Sequence, residues 1–191
     1  MARCYSGCVP NRQPSRSRSA LPPIWLVSDA RNDAGLEAAL RRLPRGSGLI
    51  FRHYHLPEPA RRARFRALRH AARRGGHAIV LAGSAAMARR WRADGAYAAP
   101  GRLTRGPALA RLATAHGLRE IGQANRARAD AVLLSPVFPT RSHPGARVLG
   151  PARFRLIAAR SRVPVIALGG MTARRARHLH AARWAAIDAL S

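Results

Sequence analysis

Short apolar runs alternate with longer amphipathic segments from residue 21 to the end of the sequence. The clearest run, Val165–Leu168, reads Val-Ile-Ala-Leu, which is typical of a parallel strand buried on both faces. The amphipathic segments carry apolar residues at helical spacing, as at Phe65, Leu68 and Ala72, with arginines between them. Strands alternating with helices in this way predict an α/β fold built on a parallel sheet.

The pattern predicts eight strands, each a short apolar run, at residues 24–27, 49–51, 77–81, 96–98, 109–114, 131–134, 165–168 and 185–189. Six helices are predicted between them, at residues 35–42, 59–74, 84–93, 118–129, 151–161 and 172–182. The segment 109–114 is ambiguous because its periodicity equally allows a helix. Eight strands alternating with helices favour a small (β/α)8 TIM barrel that lacks the final helix. Because residues 21–191 are few for that fold, a doubly wound open sheet remains the alternative.

The charge of the sequence is strongly positive, with 35 basic and 8 acidic residues and a formal net charge of +27. Every basic residue is an arginine, and the arginines are dispersed over several predicted helices. We interpret them as solvated helix faces that bind nucleic acid only non-specifically. An arginine-rich polyanion- or RNA-binding protein is the alternative from a different functional class.

Residues 1–20 are rich in Arg, Ser and Pro, and we expect them to be a disordered or mis-assigned N-terminal extension preceding one domain at 21–191. The two cysteines, Cys4 and Cys8, lie in this extension, so the domain has no disulfide framework, which suits a reducing cytoplasm. No apolar window is long enough to span a membrane, so we expect no membrane partner.

The most informative segment runs from Ala131 to Met171. It contains a strand, a polar loop, a helix and a second strand that ends on Gly169 and Gly170. Ligands of parallel barrels bind at the C-terminal ends of the strands. Glycines let backbone N–H groups approach an anion, and a helix beginning at Thr172 would direct its positive end to the same place. The segment therefore predicts a phosphate site.

Two motifs in this segment resemble those of the thiamine-phosphate synthase and thiazole tautomerase family, a set of small (β/α)8 barrels. Residues 136–140 read Pro-Val-Phe-Pro-Thr, similar to P-x-F-x-T, and residues 167–171 read Ala-Leu-Gly-Gly-Met, similar to A-I-G-G-[IM]. Weaker similarities follow in the right order from 21 to 191. The resemblance implies thiamine biosynthesis in the cytoplasm, with small phosphorylated substrates and Mg²⁺ as the expected cofactor. The implied reaction joins an aminopyrimidine diphosphate to a thiazole phosphate and releases pyrophosphate.

The resemblance also implies roles for individual residues. The positions that match the family's thiazole-phosphate side are Thr140, Ser142, Gly169 and Gly170. The positions that match its catalytic side are Arg52, Thr114 and His143. Arg52 occupies the place of the arginine in a strand-end R-E-K motif, Thr114 that of a serine close to the leaving group, and His143 that of a lysine.

The departures from the family cluster on the diphosphate and metal side. The positions of the family's metal-binding aspartates read Ala82-Gly83 after the third strand and Pro100-Gly101-Arg102 after the fourth. No metal ligands are identified, so we expect poor Mg²⁺ binding and hypothesise that Arg102 neutralises the diphosphate directly. The alternative is a catalytically impaired family member that binds a phosphorylated thiazole-like ligand.

Several other polar and aromatic residues allow a structural as well as a functional interpretation. His53 and His55 have a metal-like spacing, but two histidines without a third ligand favour a structural role. Asp29 and Asp33 are candidate site carboxylates or helix caps, and Trp25 is predicted to pack in the core. Because no helix closes the predicted barrel, we also expect a homodimer that covers strand eight.

Overall fold

The computed structural model describes residues 21–103, 109–142, 145 and 147–190. Eight parallel strands close into a barrel in sequence order, and the last strand pairs with the first. The predicted barrel is confirmed, and the open doubly wound sheet is wrong. The N-terminal extension with both cysteines and the predicted site residue His143 lie outside the described residues.

The strands follow the apolar runs of the sequence and are β1 Ile24–Val27, β2 Gly48–Phe51, β3 Ala78–Ala82, β4 Gly95–Ala98, β5 Ala110–Ala115, β6 Ala131–Leu134, β7 Val165–Leu168 and β8 Trp184–Ala186. The ambiguous segment at 109–114 is confirmed as a strand, shifted by one residue. The prediction of a strand over 185–189 is wrong at its end. There the chain leaves the sheet for a 3-10 turn at Asp188–Leu190, and the side-chain amide of Asn32 donates to the Ile187 carbonyl at 3.4 Å.

The helices are α1 Leu36–Arg42, α2 Glu58–Arg74, α3 Ala85–Arg90, α4 Leu118–Ala127, α5 Gly150–Ala158 and α6 Ala173–Leu179. Most are shorter than predicted because caps fix their ends. The Ser84 and Thr172 hydroxyls accept hydrogen bonds from the first turns of α3 and α6. Left-handed backbone at Arg128 and His180 ends α4 and α6. Among the described helices, none is long and apolar enough to cross a membrane.

The core has two layers because successive side chains of each strand face opposite sides of the sheet. One layer fills the barrel interior, and the other lies between the strands and the helices. The Trp25 ring belongs to the interior layer, and its Nε1–H donates to the Pro22 carbonyl at 2.9 Å. A Cβ at Gly48 would lie 2.2 Å from this ring, so the glycine provides the space for it. Trp25 is therefore a core residue, as predicted. The homodimer over β8 stays a prediction.

Candidate functional site

A cavity of about 700 Å³ opens at the C-terminal ends of the strands. The predicted site residues that line it are Arg52, Thr114, Thr140, Ser142, Gly169 and Gly170. Thr114 lies in β5, and the others come from the loops that follow β2, β6 and β7, which are far apart in the sequence. The closed barrel thus brings six of the seven predicted residues to one cavity. Their chemical roles stay predictions, and the seventh, His143, is not among the described residues.

The glycine turn after β7 packs tightly against the loop after β6. Gly169 and Gly170 have φ angles of +98° and +60°, a backbone region that favours glycine. The Phe138 N–H donates to the Gly169 carbonyl at 3.0 Å. A Cβ at Gly170 would lie 2.3 Å from the Pro139 carbonyl oxygen. Close approach of two backbone segments therefore requires these glycines, whether or not an anion binds beside them.

Arg175 extends from the first turn of α6 over the glycine turn. One of its guanidinium nitrogens, Nη1, donates to the Gly170 carbonyl, and its Cζ lies 4.8 Å from the centroid of the Phe138 ring. The backbone N–H of Arg175 donates to the Thr172 hydroxyl, which caps the helix. A carbonyl and an aromatic ring thus hold a guanidinium at the edge of the cavity. The sequence patterns did not single out this residue.

Arg31 joins the loops after β1, β6 and β8. Its Nη2 donates to the Ser142 hydroxyl at 2.9 Å, and its Nε donates to the Asp29 carboxylate at 2.9 Å. Its Nη1 lies 3.8 Å from Asp188, which lines the cavity. Partial burial by itself raises the pKa of Asp29, but the hydrogen bonds from Arg31 lower it below its ordinary value. Asp29 also caps the 3-10 helix Ala30–Gly35, so the cap interpretation of this residue is confirmed.

A second group of polar residues lies where β5 and β6 end. The Nδ1–H of His116 donates to the Ser135 carbonyl at 2.8 Å, and the backbone N–H of His116 donates to Glu120. Thr114 and Tyr97 line the cavity beside them. Burial raises the pKa of the Tyr97 hydroxyl to about 12, so this group stays protonated at neutral pH. The contact to Ser135 accounts for the orientation of the His116 ring.

A chain of hydrogen bonds lies beneath Arg52. The Arg52 N–H donates to the Ser28 hydroxyl at 2.8 Å, and this hydroxyl donates to Nδ1 of His53 at 2.8 Å. His53 Nε2–H donates to Asp33 at 2.8 Å, and Arg64 binds the same carboxylate at 2.6 Å. The order of groups resembles a Ser-His-Asp triad. Because Ser28 and His53 are 0% and 1% exposed, a substrate cannot reach the Ser28 hydroxyl. These hydrogen bonds instead hold the ends of β1 and β2 in position.

The stability of the protein is expected to fall as the pH drops below the ordinary histidine value of 6.5. Burial lowers the pKa of His53 even though the hydrogen bond to Asp33 opposes the shift. The unfolded chain therefore binds this proton first, and the unfolding free energy decreases as the pH falls. Urea unfolding at pH 7.5 and 5.5 measures the change. His53→Gln should reduce this pH-dependent change in unfolding free energy, and substitution of the exposed His70 by Gln should leave it as in the wild type. An equal change in all three proteins would contradict the prediction.

The carboxylates of the chain do not fit a Mg²⁺ site of the family type. All eight lie in the described part of the chain, and each has a protein partner: Asp29 with Arg31, Asp33 and Glu37 with Arg64, Glu58 with Arg90, Asp94 with the Ile79 N–H, Glu120 with the His116 N–H, Asp130 with the Arg111 N–H, and Asp188 with Arg31. The described residues contain no group of three His, Cys, Asp or Glu side chains that could hold a metal ion.

Arg61 contacts the end of β3, where the resemblance to the family implies a metal-binding carboxylate. At the end of β3, Arg61 donates to the Ala82 carbonyl at 2.6 Å and to the Arg52 carbonyl at 3.0 Å. Arg102 is an exposed residue of the 3-10 turn Pro100–Arg102 and is not among the residues that line the cavity. The position of Arg102 therefore does not support the hypothesis that it neutralises a diphosphate there. Among the described residues, the arginines that line the cavity are Arg52, Arg141 and Arg175.

Solved structures with the same fold include both thiamine enzymes and other proteins. Thiamine phosphate pyrophosphorylase from Pyrococcus furiosus superposes with a TM-score of 0.69 at 22% identity, covering 86% of this chain and 84% of that chain. FabK from Thermotoga maritima superposes with a TM-score of 0.70 at 16% identity, covering 88% of this chain and 58% of that chain. At such identities the likeness shows the fold alone.

Sequence comparison is more specific than the fold. A curated protein of Aquifex aeolicus (strain VF5), named "Putative thiamine-phosphate synthase 2", is 39% identical over 59 residues, which are 31% of this chain and 32% of that protein. The match thus spans about a third of that relative. The family model described as thiamine monophosphate synthase matches residues 24–190, which is nearly the whole described barrel. The chain therefore belongs to the thiamine monophosphate synthase family.

Proposed function

We propose that this chain is a cytoplasmic transferase of thiamine biosynthesis that joins an aminopyrimidine diphosphate to a thiazole phosphate and releases pyrophosphate. The observation that carries the proposal is the cavity of about 700 Å³, which collects six predicted site residues from four strand ends. A cavity of this volume accommodates small phosphorylated molecules of the kind that this family uses.

The thiazole phosphate is assigned to the side of the cavity formed by the loops after β6 and β7. Its ligands are the backbone N–H groups of Gly169 and Gly170 and the hydroxyls of Thr140 and Ser142. A glycine turn supports this assignment because it lets an anion approach the backbone closely. The Ser142 hydroxyl accepts a hydrogen bond from Arg31, so its own proton remains free to donate to a phosphate oxygen.

The diphosphate is assigned to the part of the cavity lined by Arg52 and Thr114, with these two as the catalytic residues and His143 as a further contact. Departure of pyrophosphate leaves negative charge, which preorganised cations and hydrogen-bond donors stabilise. The position of Arg52 supports this role because its side chain lines the cavity. Its Nη2 lies 3.7 Å from the Asp29 carboxylate, which is too far for a hydrogen bond, so the guanidinium can donate to a ligand. No step is assigned to Mg²⁺, since the carboxylates of the chain do not fit it.

The second candidate is a family member that binds a thiazole phosphate without turnover. The observation that favours it is the engagement of all eight carboxylates with protein partners, because the family reaction is expected to need a metal. The two candidates share the thiazole-phosphate side of the cavity and differ in whether pyrophosphate is released.

A two-substrate assay decides between the candidates. The full chain is incubated with aminopyrimidine diphosphate and thiazole phosphate, with and without Mg²⁺, and thiamine phosphate is measured by chromatography. We expect product formation, and expect Thr114→Val and Arg52→Gln to reduce kcat/KM by about tenfold or more. Binding of thiazole phosphate without product by a folded protein supports the second candidate. Failure of both binding and turnover contradicts both.

A further inference from the structure

The charged residues that line the cavity are unbalanced. Of the described lining residues, three are arginines, and the carboxylate among them is Asp188, which faces Arg31. The Arg31 side chain donates hydrogen bonds of 2.9 Å to the Asp29 carboxylate and to the Ser142 hydroxyl. The lining therefore carries a positive charge that the described carboxylates do not neutralise, and an anion or its counterions must balance it.

Two of the lining arginines have guanidinium N–H groups without hydrogen-bond partners among the described residues. The nearest carboxylate oxygen to Arg52 is that of Asp29 at 3.7 Å, which exceeds a hydrogen-bond distance, and in the described part of the chain no side-chain hydrogen bond of Arg52 is present. Arg175 uses Nη1 for the Gly170 carbonyl and stacks on Phe138, which leaves Nε and Nη2 without protein partners among the described residues. Both side chains line the cavity.

These two arginines reach the cavity from different parts of the barrel rim. Arg52 follows β2 and Arg175 follows β7, and on the rim of the barrel these strands are separated by β8 and β1. Asp188 and Asp29, which lie in the sector between them, are both held by Arg31. Guanidinium groups stay charged and bind phosphate oxygens in pairs, so they can neutralise a phosphate without a metal ion.

We infer that the cavity binds a diphosphate through arginine guanidinium groups, with Arg52 and Arg175 as its principal contacts, and that this binding requires no divalent cation. The inference rests on the proposed function for the choice of a diphosphate as the ligand. It departs from the expectation of a metal-bound diphosphate, because the positions that match the family's metal-binding aspartates read Ala82-Gly83 and Pro100-Gly101-Arg102. Free pyrophosphate carries more negative charge than its Mg²⁺ complex, so the positive cavity should prefer the free anion.

Calorimetric titration of the full chain with inorganic pyrophosphate, at constant ionic strength, tests the inference. We expect binding in EDTA and a several-fold weaker apparent affinity when excess Mg²⁺ is present. A site that uses the metal would show the opposite sign, with tighter binding in Mg²⁺, and that result would overturn the inference. Titration with thiazole phosphate in the same buffers tests the proposed function separately.

Charge-matched variants separate the cavity from the arginine-rich surface. Arg52→Gln and Arg175→Gln should each weaken pyrophosphate binding about tenfold, because each removes a charge-assisted contact. Arg153→Gln removes an exposed arginine of α5 and should change nothing. Circular dichroism confirms that the variants fold. An equal loss in all three variants, or no pyrophosphate binding while thiazole phosphate still binds, would overturn the inference. Binding of pyrophosphate but not of thiazole phosphate would instead leave it standing and contradict the proposed function.

Discussion

Replacement of Gly170 by alanine is expected to lower the unfolding free energy by about 3 kcal/mol. The new Cβ would lie 2.3 Å from the Pro139 carbonyl oxygen and 3.0 Å from the Phe138 Cβ. The obstacle is mostly backbone, which cannot move aside as a flexible side chain can. At a φ of +60° an alanine is strained as well. Urea unfolding followed by circular dichroism measures the loss.

Gly46→Ala is the matched control for this substitution. Gly46 also has a left-handed backbone, with a φ of +78°, but a Cβ there meets nothing within 4 Å. The control therefore carries the backbone strain without the steric clash, at a cost of about 1 kcal/mol. Equal losses in the two variants would contradict the steric argument. A larger residue at Gly170 would disrupt the turn itself, so loss of ligand binding in such a variant would not identify a phosphate site.

The strands could be predicted from the sequence because a strand buried on both faces requires a continuous run of apolar residues. Val165–Leu168 and Ala131–Leu134 are continuous apolar runs, and each forms a strand with the predicted bounds. The predicted strand ends are wrong where contacts between residues distant in sequence determine where the strand stops. The prediction extended β8 to residue 189, but the Asn32 side chain donates a hydrogen bond to the Ile187 carbonyl and the backbone turns away from the sheet. A run of small and apolar residues does not contain that information.

The cavity could be predicted only through the topology. Once a parallel barrel is assumed, the polar residues that follow each strand must meet at one rim. The contacts of Arg31 and Arg175 could not be predicted in this way. Arg31 reaches Ser142 across 111 residues, and Arg175 acts through a carbonyl and a ring that belong to different loops. In a chain with 35 basic residues, all of them arginine, composition cannot distinguish a structural or binding arginine from a solvated one.

Arg64→Met is expected to lower the unfolding free energy at pH 7 by about 2 kcal/mol. Arg64 binds the Asp33 carboxylate at 2.6 Å, the Asp33 carbonyl at 2.7 Å and the Glu37 carboxylate at 3.0 Å, and so joins α2 to the segment after β1. The magnitude is below that of a buried ion pair because these side chains are between 22% and 35% exposed. The loss should also disturb the hydrogen-bond chain that runs from Asp33 through His53 to the backbone of Arg52.

The pH dependence of this loss identifies its cause. Hydrogen bonding to Arg64 lowers the pKa of Glu37, and the hydrogen bonds from Arg64 and His53 together overcome the effect of burial on the pKa of Asp33. Their stabilisation is present above the ordinary carboxyl pKa and is lost as the pH falls through the lowered values. The difference between wild type and Arg64→Met should therefore be largest near neutral pH and shrink in acid. Arg62→Met, an exposed neighbour on the same helix, should show no such trend. A difference that stays constant with pH would assign the effect of Arg64 to packing of its aliphatic stem, because its ion pairs with Asp33 and Glu37 are lost when these carboxylates are protonated.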